Sequence, residues 1–219
     1  MPKSHLTYLT IKKNSHYEQV IRKSRFIASL AKTTSLKEST AFLTHVKAAY
    51  PDATHHTFAY ILGSKSDEVK VSDNGEPTRT AGEPELKVLQ QLQVTNVTAV
   101  VTRYFGGIKL GAGGLIRAYA SSVSHAIQAV GLVKVVWQQA IRFKIDYHEL
   151  GRITHYLEQQ HWPIANREFG SDVQLTLYLT PEDQKKCESD LIDLLSGNVT
   201  FTTGNGRYHE IPIEIKRQE

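Results

Sequence analysis

Cysteine is almost absent from this sequence, since Cys187 is the only one among 219 residues. A single cysteine excludes a disulfide within the chain and a cysteine-rich zinc site. No apolar run approaches the roughly 20 residues that a membrane-spanning helix needs. The first residues, 1–5, also lack the apolar segment of a secretory signal. These absences predict a protein of the reducing cytoplasm that does not bind a membrane.

Charge is unevenly distributed, although the net charge of the whole chain is only +4. Residues 1–135 contain 17 Lys and Arg against 9 Asp and Glu, a net charge of +8. Residues 136–219 contain 9 against 13, a net charge of −4. A basic half suggests contact with a polyanion. It is equally typical of a solvated surface that keeps a protein in solution, so charge alone does not decide.

Alternating strand and helix patterns organise the first half. Ser35 to Glu38 has the capping-box sequence that begins a helix, and Pro51 disfavours helical backbone at Tyr50, where that helix should end. Gly131 suits the C-terminal cap of a later helix. The apolar face of that helix is Leu115, Tyr119, Val123, Ala126, Ile127 and Val130. Strands are expected at 17–21, 25–31, 57–62, 69–72 and 97–102, and a further helix at 84–93.

The second half predicts a ferredoxin-like domain. Strands are expected at 141–147, 163–169 and 172–179, around Phe201 and at 210–216, with helices at 149–160 and 180–195. This β-α-β-β-α-β order is that of the split ferredoxin-like unit. The boundary should fall near Lys134 to Gln139, which lacks the composition of a linker. We therefore expect two closely joined domains, at residues 1–135 and 139–219.

Two segments are dense in glycine, charge and hydroxyl groups. The first, at 72–84, reads SDNGEPTRTAGEP, and the second, at 101–119, reads VTRYFGGIKLGAGGLIRAY. They resemble the two signature stretches of the IMPACT family, the second almost word for word, and residues 24–28 and 55–60 also match its pattern. The resemblance covers the first half. The second half is similar to the small C-terminal domain of bacterial members of the YigZ type.

The resemblance implies an α+β fold of two domains. The N-terminal IMPACT domain would have the fold of domain two of the fifth small-subunit ribosomal protein. The C-terminal domain would be ferredoxin-like, similar to the last domain of elongation factor G. Eukaryotic relatives regulate translation under amino-acid starvation, a stress response, whereas bacterial members imply only a link to nucleic acid or the ribosome. The sequence departs from the family at Asn74, where a second Asp is usual, and at Arg79, where a small residue is usual.

The glycine-rich segment between a predicted strand and a predicted helix is a candidate anion site. Glycine permits positive φ and close backbone approach, and N–H groups beside a helix N-terminus attract anions. Ala112 and Ile116 stand where a Walker A lysine and the third glycine of a dinucleotide motif would be. The alternative is a tight structural connection. The predicted nucleic-acid- or anion-binding residues are Arg103, Gly106, Gly107, Lys109, Gly111, Gly113, Gly114 and Arg117.

The loop at 73–83 is a second candidate site, for hydrogen bonding or metal-assisted chemistry. Its Asp-Asn-Gly sequence is a strong turn signal, which is the simpler interpretation of Asp73. Its carboxylates lack the spacing of a calcium loop. The two adjacent histidines nearby should point to opposite faces of a strand, where they cannot easily chelate one metal. The possible site residues are Asp73, Glu76, Arg79, Thr80, His55 and His56.

No catalytic constellation is evident. Arg152 occupies the second histidine position of a zincin motif that would begin at His148, and Cys187 has no histidine near it in the sequence. We therefore predict no catalytic residue, no metal and no cofactor. The favoured function is a non-enzymatic protein that binds RNA or the ribosome and is linked to regulation of translation. The alternatives are a regulator that acts through a protein partner and, third, a phosphoryl-transfer or hydrolytic enzyme.

Overall fold

The computed structural model describes residues 6–213, which form two compact units. Of these residues, the first unit contains Leu6–Val135 and 210–213, and the second contains Val136–His209. The fold is α+β, as expected. The strands are β1 (Tyr8–Ile11), β2 (Ser15–Ile21), β3 (Ser24–Lys32), β4 (His55–Leu62), β5 (Glu68–Ser72), β6 (Val97–Tyr104), β7 (Leu132–Ile145), β8 (Ile164–Phe169), β9 (Val173–Leu179), β10 (Phe201–Thr203) and β11 (Arg207–Ile213). The helices are α1 (Leu36–Ala49), α2 (Gly82–Gln91), α3 (Ala112–Val130), α4 (Leu150–Gln159) and α5 (Pro181–Leu194).

An antiparallel sheet of order β2-β3-β6-β4-β5 forms the frame of the first unit. Side chains alternate between its two faces. Phe26, Ala28 and Leu30 on β3 join the apolar core that α2 and α3 also line. Thr98, on β6, lies on the opposite face, where its hydroxyl donates a hydrogen bond of 2.8 Å to the hydroxyl of Ser39 of α1. The sheet is therefore covered by α2 and α3 on one face and contacted by α1 on the other.

Helix α3 is the main cover of this core. All six residues of its predicted apolar face are buried. Gly131 ends the helix with φ of 79° and donates its N–H to the carbonyl of Ile127 at 2.8 Å. Helix α1 begins where the capping sequence predicts, with the hydroxyl of Ser35 accepting from the N–H of Glu38. In a complete capping box the Glu38 carboxylate would accept the N–H of Ser35. Here it accepts the N–H of Thr34 instead.

The second unit has the ferredoxin-like arrangement. Its strands pair in the order β10-β7-β9-β8, all antiparallel, and α4 and α5 contribute to one core with them. The inward positions of β9 are Val173, Leu175, Leu177 and Leu179, as the alternation predicts. A short 3₁₀ helix, Tyr147–Glu149, precedes α4 where strand and then helix were expected.

Strand β7 is longer than the sequence predicts. It runs from Leu132 to Ile145 without a break, through the segment 134–139 in which a boundary is expected. Alternating β-branched and apolar residues support strand over this whole range. The last strand, expected at 210–216, is found at Arg207–Ile213, and the remainder of that prediction lies outside the described residues.

Candidate nucleic-acid interface

The loop between β5 and α2 is folded around the carboxylate of Asp73. One oxygen accepts the N–H of Arg79 at 2.7 Å, and the other accepts those of Ala81 and Gly82 at 3.0 Å each. The N–H groups of Ala81 and Gly82 are donors that helix α2 leaves unpaired at its start. Asp73 therefore acts as a remote cap of α2, which agrees with turn chemistry rather than with a role toward a ligand.

Arg79 and Thr80 complete this loop. Arg79 has φ of 63°, in the region that favours glycine. Its exposed guanidinium lies 3.2 Å from Glu83 in the next turn. The hydroxyl of Thr80 donates to the carbonyl of Pro77 at 2.6 Å. Both side chains are thus engaged within the loop.

Glu76 and Arg103 form a buried ion pair at the end of strand β6. Arg103 Nη1 donates to Glu76 Oε1 at 2.5 Å, and the hydroxyl of Tyr119 on α3 donates to the same oxygen at 2.6 Å. The guanidinium lies over the rings of Phe26 and Phe105, at 5.3 and 5.5 Å from their centroids. Two charges this deeply buried need such pairing, although Arg103 Nε finds no hydrogen-bond partner among the described residues.

This geometry gives Arg103 an internal role. The residue is 4% exposed, and its Nη2 donates to the hydroxyl of Ser24 at 3.3 Å. It is therefore separated from the exposed cations Lys109 and Arg117, with which the sequence groups it. The three residues do not form one cradle.

The two adjacent histidines lie on opposite faces of the sheet, as strand geometry requires. His55 Nδ1 lies 3.0 Å from the carbonyl oxygen of Asn74, and its Nε2 lies 3.8 Å from Glu76. His56 Nδ1 lies 3.1 Å from the hydroxyl of Thr102, and burial lowers the pKa of this histidine. Among residues 6–213 no group of three or more His, Cys, Asp or Glu is placed to hold a metal ion.

The glycine loop connects β6 to α3 and is exposed at its tip. Gly107 and Gly111 adopt φ of 83° and 70°, and Gly111 precedes the first residue of α3. Gly113 and Gly114 lie within the first turn of the helix, which contains no acidic residue. Lys109 and Arg117 are exposed. The loop therefore presents cations and a helix N-terminus without an acidic side chain in that first turn.

Gly106 joins the loop to the turn between β2 and β3. A Cβ at this position would lie 2.0 Å from the carbonyl carbon and oxygen of Lys23, which only glycine avoids. The turn itself is Arg22-Lys23, with φ of 45° and 65°, the pattern of a two-residue type I′ turn. Such turns favour Asn-Gly, yet here two basic residues occupy them and both are exposed.

Arg22, Lys23, Lys109 and Arg117 are named the basic surface below. The sequence analysis missed Arg22 and Lys23, since they lie about 80 residues from the glycine loop. The available signal was the gap of only three residues, 22–24, between two predicted strands, which is short enough for a tight hairpin turn.

The two units, together with the β2–β3 turn and the glycine loop, define the class of protein. It is a two-domain α+β protein in which a glycine-loop domain is followed by a ferredoxin-like domain. The family described as the Impact N-terminal domain matches residues 22–127, and a domain of unknown function, DUF1949, matches residues 143–198. The chain belongs to the IMPACT family. No described helix is long and apolar enough to cross a membrane.

Individual relatives resemble most of the chain. IMPACT family member YvyE of Bacillus subtilis is 35% identical over 214 residues, covering 97% of this chain and 99% of its own length. IMPACT family member YigZ of Escherichia coli is 36% identical over 181 residues, covering 82% and 89%. A crystal structure described as that of a hypothetical protein is 33% identical, with a TM-score of 0.59, and covers 90% of this chain and 96% of its own.

Proposed function

We propose that this protein binds single-stranded RNA, free or within the ribosome, as a non-enzymatic component linked to the regulation of translation. The observation that carries the proposal is the basic surface. Two segments far apart in sequence, the β2–β3 turn and the glycine loop, are brought together by the backbone contact between Gly106 and Lys23. Exposed Lys and Arg side chains on neighbouring loops bind phosphate groups through charge.

Two further features support RNA as the partner. Phe105, in the glycine loop, is 47% exposed, and an exposed aromatic ring can stack on an unpaired base. Tyr119, by contrast, is fully buried and its hydroxyl donates to Glu76, so its ring is not available for stacking. The start of α3 adds unpaired N–H groups beside the cations, because Gly111 provides no side-chain cap.

Hydrolytic or phosphoryl-transfer chemistry is less well supported. A general base needs a carboxylate or imidazole within reach of a substrate. Asp73 is occupied by three backbone N–H groups, and Glu76 is occupied by Arg103 and Tyr119. Both carboxylates therefore act inside the fold.

A protein partner is the second candidate, and one observation favours it. Ile108 and Ile116 are large apolar side chains that remain exposed beside the basic surface. Aliphatic side chains that become buried on binding are more typical of protein interfaces than of contacts with phosphate. Replacing both with serine should weaken a protein complex while leaving RNA affinity close to that of the original protein.

The experiment is fluorescence anisotropy with a labelled single-stranded RNA, titrated at several salt concentrations. In the Lys23→Gln/Lys109→Gln variant, two phosphate contacts are lost, so the slope of log affinity against log salt should fall by roughly 1.4, about 0.7 per contact on a single strand. Lys47→Gln, on helix α1, is the matched control because it removes one exposed cation from elsewhere in the same unit. Unchanged affinity and slope in the double variant would refute the RNA interface.

A further inference from the structure

A small pocket lies between the β2–β3 hairpin and helix α3. Its volume is about 230 Å³. Arg22, from the turn, and Arg117, from the helix, both line it, so two arginines from separate elements border one concavity. Among the residues described, the lining contains no acidic side chain. The lining consists of Ile21, Arg22, Leu110, Gly114, Arg117, Ala118 and Ser121.

The side chain of Gln19, on β2, connects this strand to helix α3 through hydrogen bonds. Its amide nitrogen lies within hydrogen-bond distance of the carbonyl of Ala118, at 3.3 Å, and of the hydroxyls of Ser121 and Ser122, at 2.9 and 2.7 Å. Two of these partners belong to residues that also line the pocket. Gln19 thus ties the strand to the helix beside two of the lining residues, an arrangement that suits the end of a ligand better than a strand passing between the two elements.

The charge in the pocket is uncompensated. Arg25, on the same hairpin, forms an ion pair with Glu18 at 2.5 Å. An arginine on this surface can therefore have its charge balanced by a neighbouring carboxylate. Arg22 and Arg117 have no carboxylate within ion-pair distance in the described part of the chain. Two arginines that line one concavity without an acid are a typical setting for a doubly charged oxyanion.

We propose that this pocket binds the terminal phosphate monoester of a nucleic-acid strand, so that the protein prefers strands with a phosphorylated end. The inference rests on the proposed function, because the rest of the strand would follow the basic surface. A terminal monoester carries close to two negative charges at neutral pH, whereas each internal phosphodiester carries one. Arg22 and Arg117 match the charge of the monoester, and the apolar walls Ile21 and Leu110 leave room for the adjoining sugar.

The test compares three RNAs of one sequence that carry a 5′-phosphate, a 3′-phosphate or hydroxyl groups at both ends. One of the phosphorylated strands should bind about tenfold more tightly than the hydroxyl strand, the effect of one added charge-assisted contact. Arg22→Gln and Arg117→Gln should each remove this preference. Lys109→Gln, which changes the basic surface outside the pocket, should weaken all three strands by the same factor. Circular dichroism checks that each variant stays folded, and Arg22→Lys retains the charge if Arg22→Gln proves unstable.

The outcomes separate this inference from the proposed function. Equal affinity for all three strands would overturn the terminal-phosphate pocket and leave RNA binding in place. Absence of binding to any strand would overturn both. A phosphoserine peptide that bound more tightly than every RNA, and lost affinity in Arg22→Gln, would also overturn the inference by assigning the pocket to a phosphoprotein.

Discussion

Glu85 provides the sharpest test of the physical description of the first unit. It is fully buried on α2, and its Oε1 is hydrogen-bonded to the hydroxyl of Thr57 on β4. Its Oε2 finds no partner among residues 6–213. Burial raises the pKa of Glu85 well above the usual value, the Thr57 hydrogen bond lowers it in part, and the charge of Asp73 raises it further.

The number of protons available for hydrogen bonds around Glu85 also favours its protonated form. The hydroxyl of Thr57 lies 3.2 Å from the carbonyl oxygen of Val101 as well as against Glu85. A threonine hydroxyl has one proton, so it donates to only one of these acceptors at a time. If Glu85 is protonated, it donates to Thr57, and Thr57 donates to Val101. Both contacts are then satisfied.

The protonated form makes stability depend on pH in a defined direction. In the unfolded chain Glu85 ionises near pH 4.3. Because its folded pKa is higher, the stability associated with the proton is fully present below that pH and is lost as the pH rises through the folded pKa. Between the two pKa values the loss is about 1.4 kcal/mol per pH unit. Glu85→Gln is neutral at every pH and can still donate to Thr57, so it should not show this loss.

The assay is urea denaturation of both proteins from pH 5 to 8, followed by far-ultraviolet circular dichroism. The variant should gain on the original protein by about 1.4 kcal/mol per pH unit until the folded pKa of Glu85 is passed. Glu83→Gln, an exposed neighbour on the same helix, should change stability by a constant amount below about 0.5 kcal/mol. Fluorescence of Trp137 and Trp162 reports the second unit and should not follow the trend. A difference between Glu85→Gln and the original protein that is independent of pH would refute the reasoning.

Three further results are expected. Gly106→Ala should destabilise the first unit by about 2 kcal/mol or more in the same assay, since its Cβ would meet backbone at 2.0 Å. Gly113→Ala, whose Cβ would make only an ordinary contact of 3.7 Å with Arg117, should stabilise the unit by about 0.5–1 kcal/mol. Equal effects of the two substitutions would contradict the close contact at Gly106. Replacing the turn as Arg22→Asn/Lys23→Gly should raise the midpoint of urea denaturation because both positions have positive φ, while RNA affinity measured by anisotropy should fall; a gain in both would remove the turn from the interface. The fragment 136–209 should give a dispersed amide spectrum, as expected of an independently folding unit, and a collapsed spectrum would contradict this.

The elements of the fold were predictable where one pattern dominates. The α3 face repeats at helical spacing and ends at a glycine, and β9 alternates strictly, so local physics determines both. The extent of β7 was not predictable, because its second half resembles any short strand and its first half looks like a connection. The strand of 14 residues is supported by tertiary pairing, with β1 on its first part and with β9 and β10 on its second.

The candidate site was predictable only in part. Lys109 and Arg117 follow from the glycine-rich sequence, but the burial of Arg103 does not. Whether an arginine at the end of a strand faces solvent or a buried carboxylate depends on which loop folds over it, and Glu76 lies 27 residues earlier. Arg22 and Lys23 became part of the site only through the tertiary contact at Gly106.

The path of the chain after residue 209 has a consequence for biosynthesis. The last described residues return to the first unit, where Glu210 pairs with Lys32 at 2.6 Å and Ile213 packs against the core. Ribosomes deliver the chain from its N-terminus, so the unit begun first is also the one completed last. The ferredoxin-like unit is synthesised whole in between. A chain released after residue 209 should therefore contain the whole second unit and a first unit that still lacks its closing segment.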